Sequence, residues 1–269
     1  MSKKLRHLDL CSGAGIGFPL AALILGQEGL IPECQLVGLC EIDTWLQTLL
    51  AQRYPGIPIH KDIWQLPHDL NIDLLTASPP CQPFSVQGKR FAADDPRDCF
   101  GALIQAIRQL RPQCFAFENV PGLLSCKLRP GNNRLYFDWL LHEIHQSGYD
   151  LQWLCISSAH FGAPWRRERL LAIGFPRGTE RPKTRAWADE IGSQIEAIGA
   201  TAARRGLQPT MVGGAVRSAV GLDIPIGVPS GCGVNRLRRA ALGNGLDWRV
   251  AGVALMRGAQ NLPKPQGES

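Results

Sequence analysis

The chain has 269 residues, 45% of them hydrophobic and 19% charged, so it is long enough to bury a full core with at most one small appended domain. No 18-residue apolar run occurs, and MSKKLRHLDLCSG passes from a basic start straight into a strand and loop. A membrane span and a signal peptide are therefore not expected, and a cytoplasmic location is.

Taken in chain order, hydrophobic patterning predicts a strand at 5–10 (LRHLDL), an amphipathic helix over 16–28, a strand at 35–41 and a helix over 44–53 that ends before Pro55. A short buried strand follows at 72–78 (IDLLTAS), then a helix over 99–110, a strand at 114–119 (CFAFEN), a helix over 133–147, and strands at 150–158 and 169–175. This β/α alternation predicts a doubly wound α/β sheet whose ligands lie beyond the carboxyl ends of its strands, where Asp9, Glu41, Cys81 and Glu118 fall. Residues 177–235 break the alternation with polar, then Ala-, Gly- and Arg-rich stretches, and read as a separate small module or an ordered insertion. Helical periodicity returns over 234–258, interrupted by GNG at 243–245, and the last eleven residues read as a tail.

The formal net charge of +6 is unevenly spread: residues 1–159 carry 13 basic and 15 acidic side chains, residues 160–269 carry 16 and 8. A basic half attracts a polyanion, and its cations are predominantly Arg, which suits phosphate and base-edge contacts, so nucleic acid is the expected partner. Nine cysteines form an odd set without a CxxC pair, which fits neither a disulfide framework nor a structural zinc site. HEIH (142–145) lacks the HExxH spacing, and no metal site is expected.

DLCSGAGIG (9–17) is a glycine-rich turn between a strand and a helix, which brings backbone close to a ligand. Glu41, ending the next strand, can accept hydrogen bonds from both hydroxyls of a ribose, and Asp62 in HKDIWQLP from an adenine amino group. Together they describe a nucleoside pocket. ASPPCQPFSVQGKR (77–90) places Cys81 just past a buried strand, on a chain stiffened by Pro79, Pro80 and Pro83. A buried thiol capping the strand is the plainer alternative, but a stiffly presented thiol is suited to attack.

The ordered series DLCSGAG, EID, KDI, SPPCQPFSVQGKR, FENV, GAPWRRERLLAIGF and ALGNGL resembles the motif series of the cytosine-C5 DNA methyltransferases, over about residues 5–176 and 234–258. The resemblance implies a Rossmann-like class I methyltransferase sheet, S-adenosyl-L-methionine as cofactor and double-stranded DNA as substrate. Cys81 matches the nucleophile that adds to C6 of cytosine, Glu118 the carboxyl that hydrogen-bonds N3 and the exocyclic amine, and Arg167 and Arg169 the paired arginines near the base. The cofactor set it implies is Asp9, Cys11, Gly13, Gly15, Glu41, Asp62, Phe100 and Asn244. Because the reacting edge is unreachable inside a duplex, the cytosine must flip out, with Gln82, Ser85 and Arg90 as candidates for contacts to its backbone and the vacated stack.

On this reading 1–176 is the catalytic domain, 177–235 a small target-recognition region and 236–269 a helix returning to the scaffold, then a tail. Base readout is expected from Arg204, Arg205 and Arg217, and phosphate contacts from Arg177 and Arg181. A monomer is expected, with a restriction endonuclease as an open partner. Departures stand out: Cys11 where the family usually has Phe, Trp165 where it has Gln, Gly245-Leu246 without the usual following Pro and, as the clearest gap, no RxLTxxE-type segment before GNG. A tRNA cytosine methyltransferase would use the same chemistry, although the CFT triplet typical of that branch is absent beyond the ENV motif; a weakly active DNA-binding remnant is the other alternative.

Overall fold

The structure is a computed structural model describing residues 4–85, 90–164, 166–178, 186–207, 210–212, 215–217 and 246–262. Its elements are β1 (Leu5–Leu10), α1 (Phe18–Gln27), β2 (Cys34–Cys40), α2 (Thr44–Arg53), β3 (Ile59–His60), β4 (Leu74–Ala77), α3 (Phe100–Leu110) and β5 (Cys114–Asn119). There follow α4 (Tyr136–Gln146), β6 (Tyr149–Ser157), β7 (Glu168–Pro176), α5 (Trp187–Arg204), a small hairpin of β8 (Thr210–Val212) and β9 (Ala215–Arg217), and α6 (Trp248–Gln260).

Seven strands form one sheet in the order β3-β2-β1-β4-β5-β7-β6. All neighbours are parallel except β7, which runs antiparallel to both β5 and β6. The reversal follows from chain length. Only ten residues separate β6 from β7, too few for the crossover a parallel pair requires.

Side-chain alternation along β5 shows how the sheet is covered on both faces. Phe115 and Phe117 pack with Leu103 and Ile107 of α3 and Leu140 and Ile144 of α4, whereas Cys114 and Ala116 pack with Phe18 and Leu25 of α1 and Val250 and Val253 of α6. Burial on both faces explains why this strand reads as an unbroken apolar run until Glu118.

Two elements differ from expectation. β3 is only two residues long, too short to show a period. The stretch read as an insertion contains α5, an 18-residue helix that packs along α6 and buries Trp187, Ile198 and Ala202 in the same cluster as α1. At its end Arg204 and Arg205 do not reach outward unengaged: they pair with Glu28 at 2.7 and 2.8 Å, and Arg205 also donates to Gln27. No helix among the described residues is long and apolar enough to cross a membrane.

Candidate active site

β4 delivers its last residue, Ala77, to the carboxyl edge of the sheet, and Ser78 N still donates to Leu10 O (3.1 Å) before the prolines take the chain away. The Cys81 carbonyl accepts from Phe84 N (3.0 Å) and Ser85 N (2.9 Å), closing a turn with the half-buried thiol at its start. Two anchors hold that turn. Phe84 is fully buried edge-on to Tyr136 and Phe100 (centroids 4.7 and 5.6 Å), and Asn119 Nδ2 donates to Pro79 O (3.2 Å). The rigidity inferred from prolines thus also comes from an aromatic plug and from the residue after Glu118. Phe84→Ala is expected to cost about 3–5 kcal/mol, the range for emptying a buried aromatic site, measured by urea denaturation.

Glu118 lies near the end of β5 opposite Leu171, so Arg169, two residues earlier on antiparallel β7, shares its face. Arg169 Nε is 3.3 Å from Glu118 Oε2, but off hydrogen-bond alignment: Oε2 is buried with no hydrogen bond. Burial pushes the Glu118 carboxyl up, opposed first by Arg169 and then by Arg167. Burial, reinforced by Arg169, pulls Arg167 down to about 10. Both Arg167 and Arg97 lie within electrostatic reach of Cys81. Arg97, held by a bidentate pair to Asp95 (2.9 and 2.7 Å), is absent from the sequence-derived set, although DDPR, with acid and base two apart, carried the signal.

Of the residues expected to touch a flipped nucleotide, Gln82 is exposed and Ser85 half-buried beside Cys81. Arg90 Nη2 donates to Gly122 O (2.9 Å) and Ser125 Oγ (3.0 Å), which fastens the Cys81 segment to the loop after β5.

The glycine-rich turn lies beside this centre, at the end of β1. Gly13 N donates to Glu41 Oε2 (2.7 Å) and Asp43 N to Oε1 (2.9 Å), which leaves one lone pair on each oxygen for a ligand. Gly13 has φ +54°, and a Cβ there would meet nothing within 4 Å, so the turn faces open space. Gly15 has another purpose: Tyr54 Oη donates to its carbonyl, and a Cβ would stand 2.6 Å from the Tyr54 ring. Asp62 caps a short 3-10 turn, accepting from Trp64 N (2.9 Å) and Gln65 Nε2 (3.0 Å). The Phe100 ring is fully buried among Phe84, Phe117 and Tyr136, as part of the core. Cys11, at φ +51°, has its sulfur 3.5 Å from that of Cys99. Asn244, Trp165 and Arg181 lie outside the described residues, as does the side chain of Arg217. Just past Asn244, fully buried Arg249 clamps Asp247 (3.0 and 2.5 Å) and donates to Phe161 O (3.0 Å), fixing where α6 starts.

Beneath the turn, Thr76 Oγ1 donates to Asp9 Oδ1 (2.5 Å) and lies 2.6 Å from His7 Nε2, all three buried. Burial pushes Asp9 up to about 7, against its hydrogen bonds from Thr76 and Ser12 and with a small addition from Glu41, and drives His7 down to about 3. A carboxyl whose folded pKa is raised contributes stability while protonated. Here that contribution is full below the ordinary value of 3.8 and is lost as pH rises toward 7. Asp9→Asn keeps the acceptor but cannot ionise, so its thermal stability relative to wild type should rise between pH 4 and 7 and level off above, by at most about 4 kcal/mol. A melting series over that range reads the difference.

Residues 5–203 match the family described as C-5 cytosine-specific DNA methylase. Type II methyltransferase M.HgiCII of Herpetosiphon aurantiacus is 33% identical over 179 residues, covering 64% of this chain and 37% of that protein. M.AplI of Arthrospira platensis is 32% identical over 186 residues, 67% and 48% respectively. The chain thus spans less than half the length of either relative. Among solved structures, the S. pombe Dnmt2 methyltransferase shares the fold with a TM-score of 0.53 at 23% identity, over 71% of this chain and 55% of that one. A putative DNA modification methyltransferase encoded within an E. coli prophage does so at 0.52 and 24%, over 67% and 49%. With the sheet, the cysteine turn and the Glu118–Arg169 pair all inside the matched residues, the chain belongs to the C-5 cytosine-specific DNA methylase family.

Proposed function

We propose that the chain transfers a methyl group to C5 of a flipped-out cytosine in duplex DNA, with S-adenosyl-L-methionine as donor. The observation that carries this reading is the half-buried Cys81 thiol placed with a buried Glu118 oxygen that has no hydrogen bond, both flanked by arginines at adjacent strand ends. A neutral carboxyl in that position can donate to cytosine N3 while its other oxygen accepts from the exocyclic amine. Protonation draws electrons from C6, where the Cys81 sulfur adds, and C5 becomes enamine-like. When bound, the cofactor supplies the electrophilic methyl group. Loss of the C5 proton then expels the Cys81 thiolate and regenerates the enzyme.

The cofactor's nucleoside fits the open space before Gly13, with the remaining lone pairs of Glu41 for the ribose hydroxyls and those of Asp62 for the adenine amine. Since α5 packs on the scaffold and Arg204 and Arg205 are engaged with Glu28, target recognition falls to the sequence between α5 and α6, Arg217 included. The type II methyltransferase names of the relatives support a role in restriction and modification; a cytoplasmic location and an endonuclease partner belong to the same proposal. The test is bisulfite sequencing of randomised duplex DNA incubated with the full chain and S-adenosyl-L-methionine. Methylated cytosines in a recurrent short context are expected. Labelling confined to tRNA, or cofactor binding without turnover, would overturn the assignment.

A further inference from the structure

The geometry points to Cys11 and Cys99 as a redox-responsive dithiol that closes to an intramolecular disulfide and thereby weakens cofactor binding; the affinity half of this inference rests on the cofactor reading above. The two sulfurs are 3.5 Å apart although 88 positions separate the residues. They belong to different elements: Cys11 is on the glycine-rich turn after β1, and Cys99 is the residue preceding α3. Both are half-buried, so small oxidants can reach them. Cys99 makes no side-chain capping bond to α3, so the helix does not depend on its sulfur.

A disulfide requires S–S near 2.05 Å, roughly 1.5 Å closer than the thiols stand. The α3 side cannot supply that movement readily, because Phe100, the next residue, is locked in the aromatic core. The turn supplies it instead. Cys11 is two residues from Gly13, whose N–H holds Glu41 in place, so drawing Cys11 toward α3 displaces the floor on which the nucleoside is proposed to sit.

The order of the chemistry also follows from position. The Cys11 thiol is pushed strongly upward, first by its hydrogen bond to Cys99 and then by burial, so it stays protonated. Cys99, across the 3.5 Å gap, is therefore the sulfur that attacks. With glutathione disulfide, the Cys99 thiolate displaces one glutathione thiolate to form a mixed disulfide. Cys11 then loses its proton and displaces the second glutathione, so two protein thiols are oxidised and one disulfide is reduced to two thiols. With a hydroperoxide, Cys99 sulfur attacks the terminal oxygen, the O–O bond breaks and the alcohol leaves, giving a Cys99 sulfenic acid that Cys11 converts to the disulfide with release of water.

By linkage, whatever the disulfide costs the cofactor, the cofactor costs the disulfide. The test equilibrates the full-length chain with glutathione redox buffers, maps disulfides by peptide mass spectrometry and measures S-adenosylhomocysteine binding by calorimetry. A Cys11–Cys99 cross-link is expected, with at least tenfold weaker binding that dithiothreitol restores and with protection of the pair by saturating S-adenosylhomocysteine. Cys99→Ala should keep in oxidising buffer the affinity it has in reducing buffer. Cross-links that exclude this pair, an unchanged affinity in the cross-linked protein, or equal oxidative loss in Cys99→Ala would each overturn the proposal. Reduced protein that binds no S-adenosylhomocysteine instead overturns the cofactor reading, while the cross-link is still decided by mass alone.

Discussion

Replacing Cys81 with serine is expected to lower methyl transfer by roughly 10⁶-fold, the scale on which removing a covalent nucleophile acts in other enzymes. The change exchanges sulfur for oxygen and hardly alters volume. It also leaves intact what holds the turn, namely the Phe84 plug, the Asn119 bond to Pro79 and the two backbone bonds to the Cys81 carbonyl. Cofactor binding and unfolding should therefore match wild type, separating loss of chemistry from loss of structure. A hydroxyl is a poor nucleophile without a base, and the neighbours of this site are guanidiniums, which cannot take its proton. The complementary measurement uses duplex containing 5-fluorocytosine, where no C5 proton can leave. Wild type should give a denaturation-resistant adduct that needs cofactor, and Cys81→Ser none. Turnover by Cys81→Ser within tenfold of wild type would show that C5 is activated in another way.

Where periodicity and punctuation agree, as at 5–10, 44–53 and 114–119, the expected and observed elements coincide residue for residue. The helix over 44–53 shows why: Asp43 caps its start by accepting from Trp45 N and Leu46 N, and Pro55 lies just past its end, both local signals. α5 carries weaker signals, Asp189 and Glu190 in its first turn, Arg204 in its last and Gly206 just past its end. Its N-cap, Ala186, makes no side-chain bond, and its buried face mixes Trp187, Ile198 and Ala202 with Gln194 and Thr201. The two polar residues are tolerable there because they find partners, as where Trp187 Nε1 donates to Gln194 Oε1 (3.1 Å). Gln194 also reaches Gln260 of α6 (3.3 Å), a tertiary contact that composition does not display, and composition alone reads the stretch as a separate small module or an ordered insertion.

The site shows the same division. That Cys81, Glu118, Glu41 and the glycine turn stand at or just past the carboxyl ends of strands was legible because a strand end fixes where a residue stands. The directions taken by Phe100 and Arg90 were not, because the direction of a side chain depends on what it packs against. The aromatic cluster turns Phe100 inward, and the Gly122 carbonyl with Ser125 draws Arg90 toward the loop after β5. Arg97 and Asn119 were missed for a related reason. The spacing in DDPR shows that Arg97 can pair with Asp95, but the field of Arg97 at Cys81 and the bond of Asn119 to Pro79 are displayed by no spacing in the chain.

The second large effect is expected at Glu118. Glu118→Gln keeps the shape, the burial and an acceptor oxygen, but the amide cannot pass a proton to cytosine N3. Attack of Cys81 on C6 needs that proton, because the unactivated ring does not accommodate the electron pair the sulfur brings. The raised pKa of Glu118 serves the same step: burial outweighs the two arginines and keeps the carboxyl protonated to higher pH than an exposed glutamate would be. The loss should be about 10²–10⁴-fold in the rate of the chemical step, the usual worth of a positioned general acid, and it should appear in kcat far more than in KM for DNA. Single-turnover kinetics with saturating cofactor isolates that step. The pH profile supplies a second reading, since the wild-type rate should fall at alkaline pH as Glu118 ionises, while the glutamine variant, with no proton to lose there, should show a flatter limb. Equal alkaline limbs in the two proteins would assign the proton to another group and leave Glu118 only the positioning of the base.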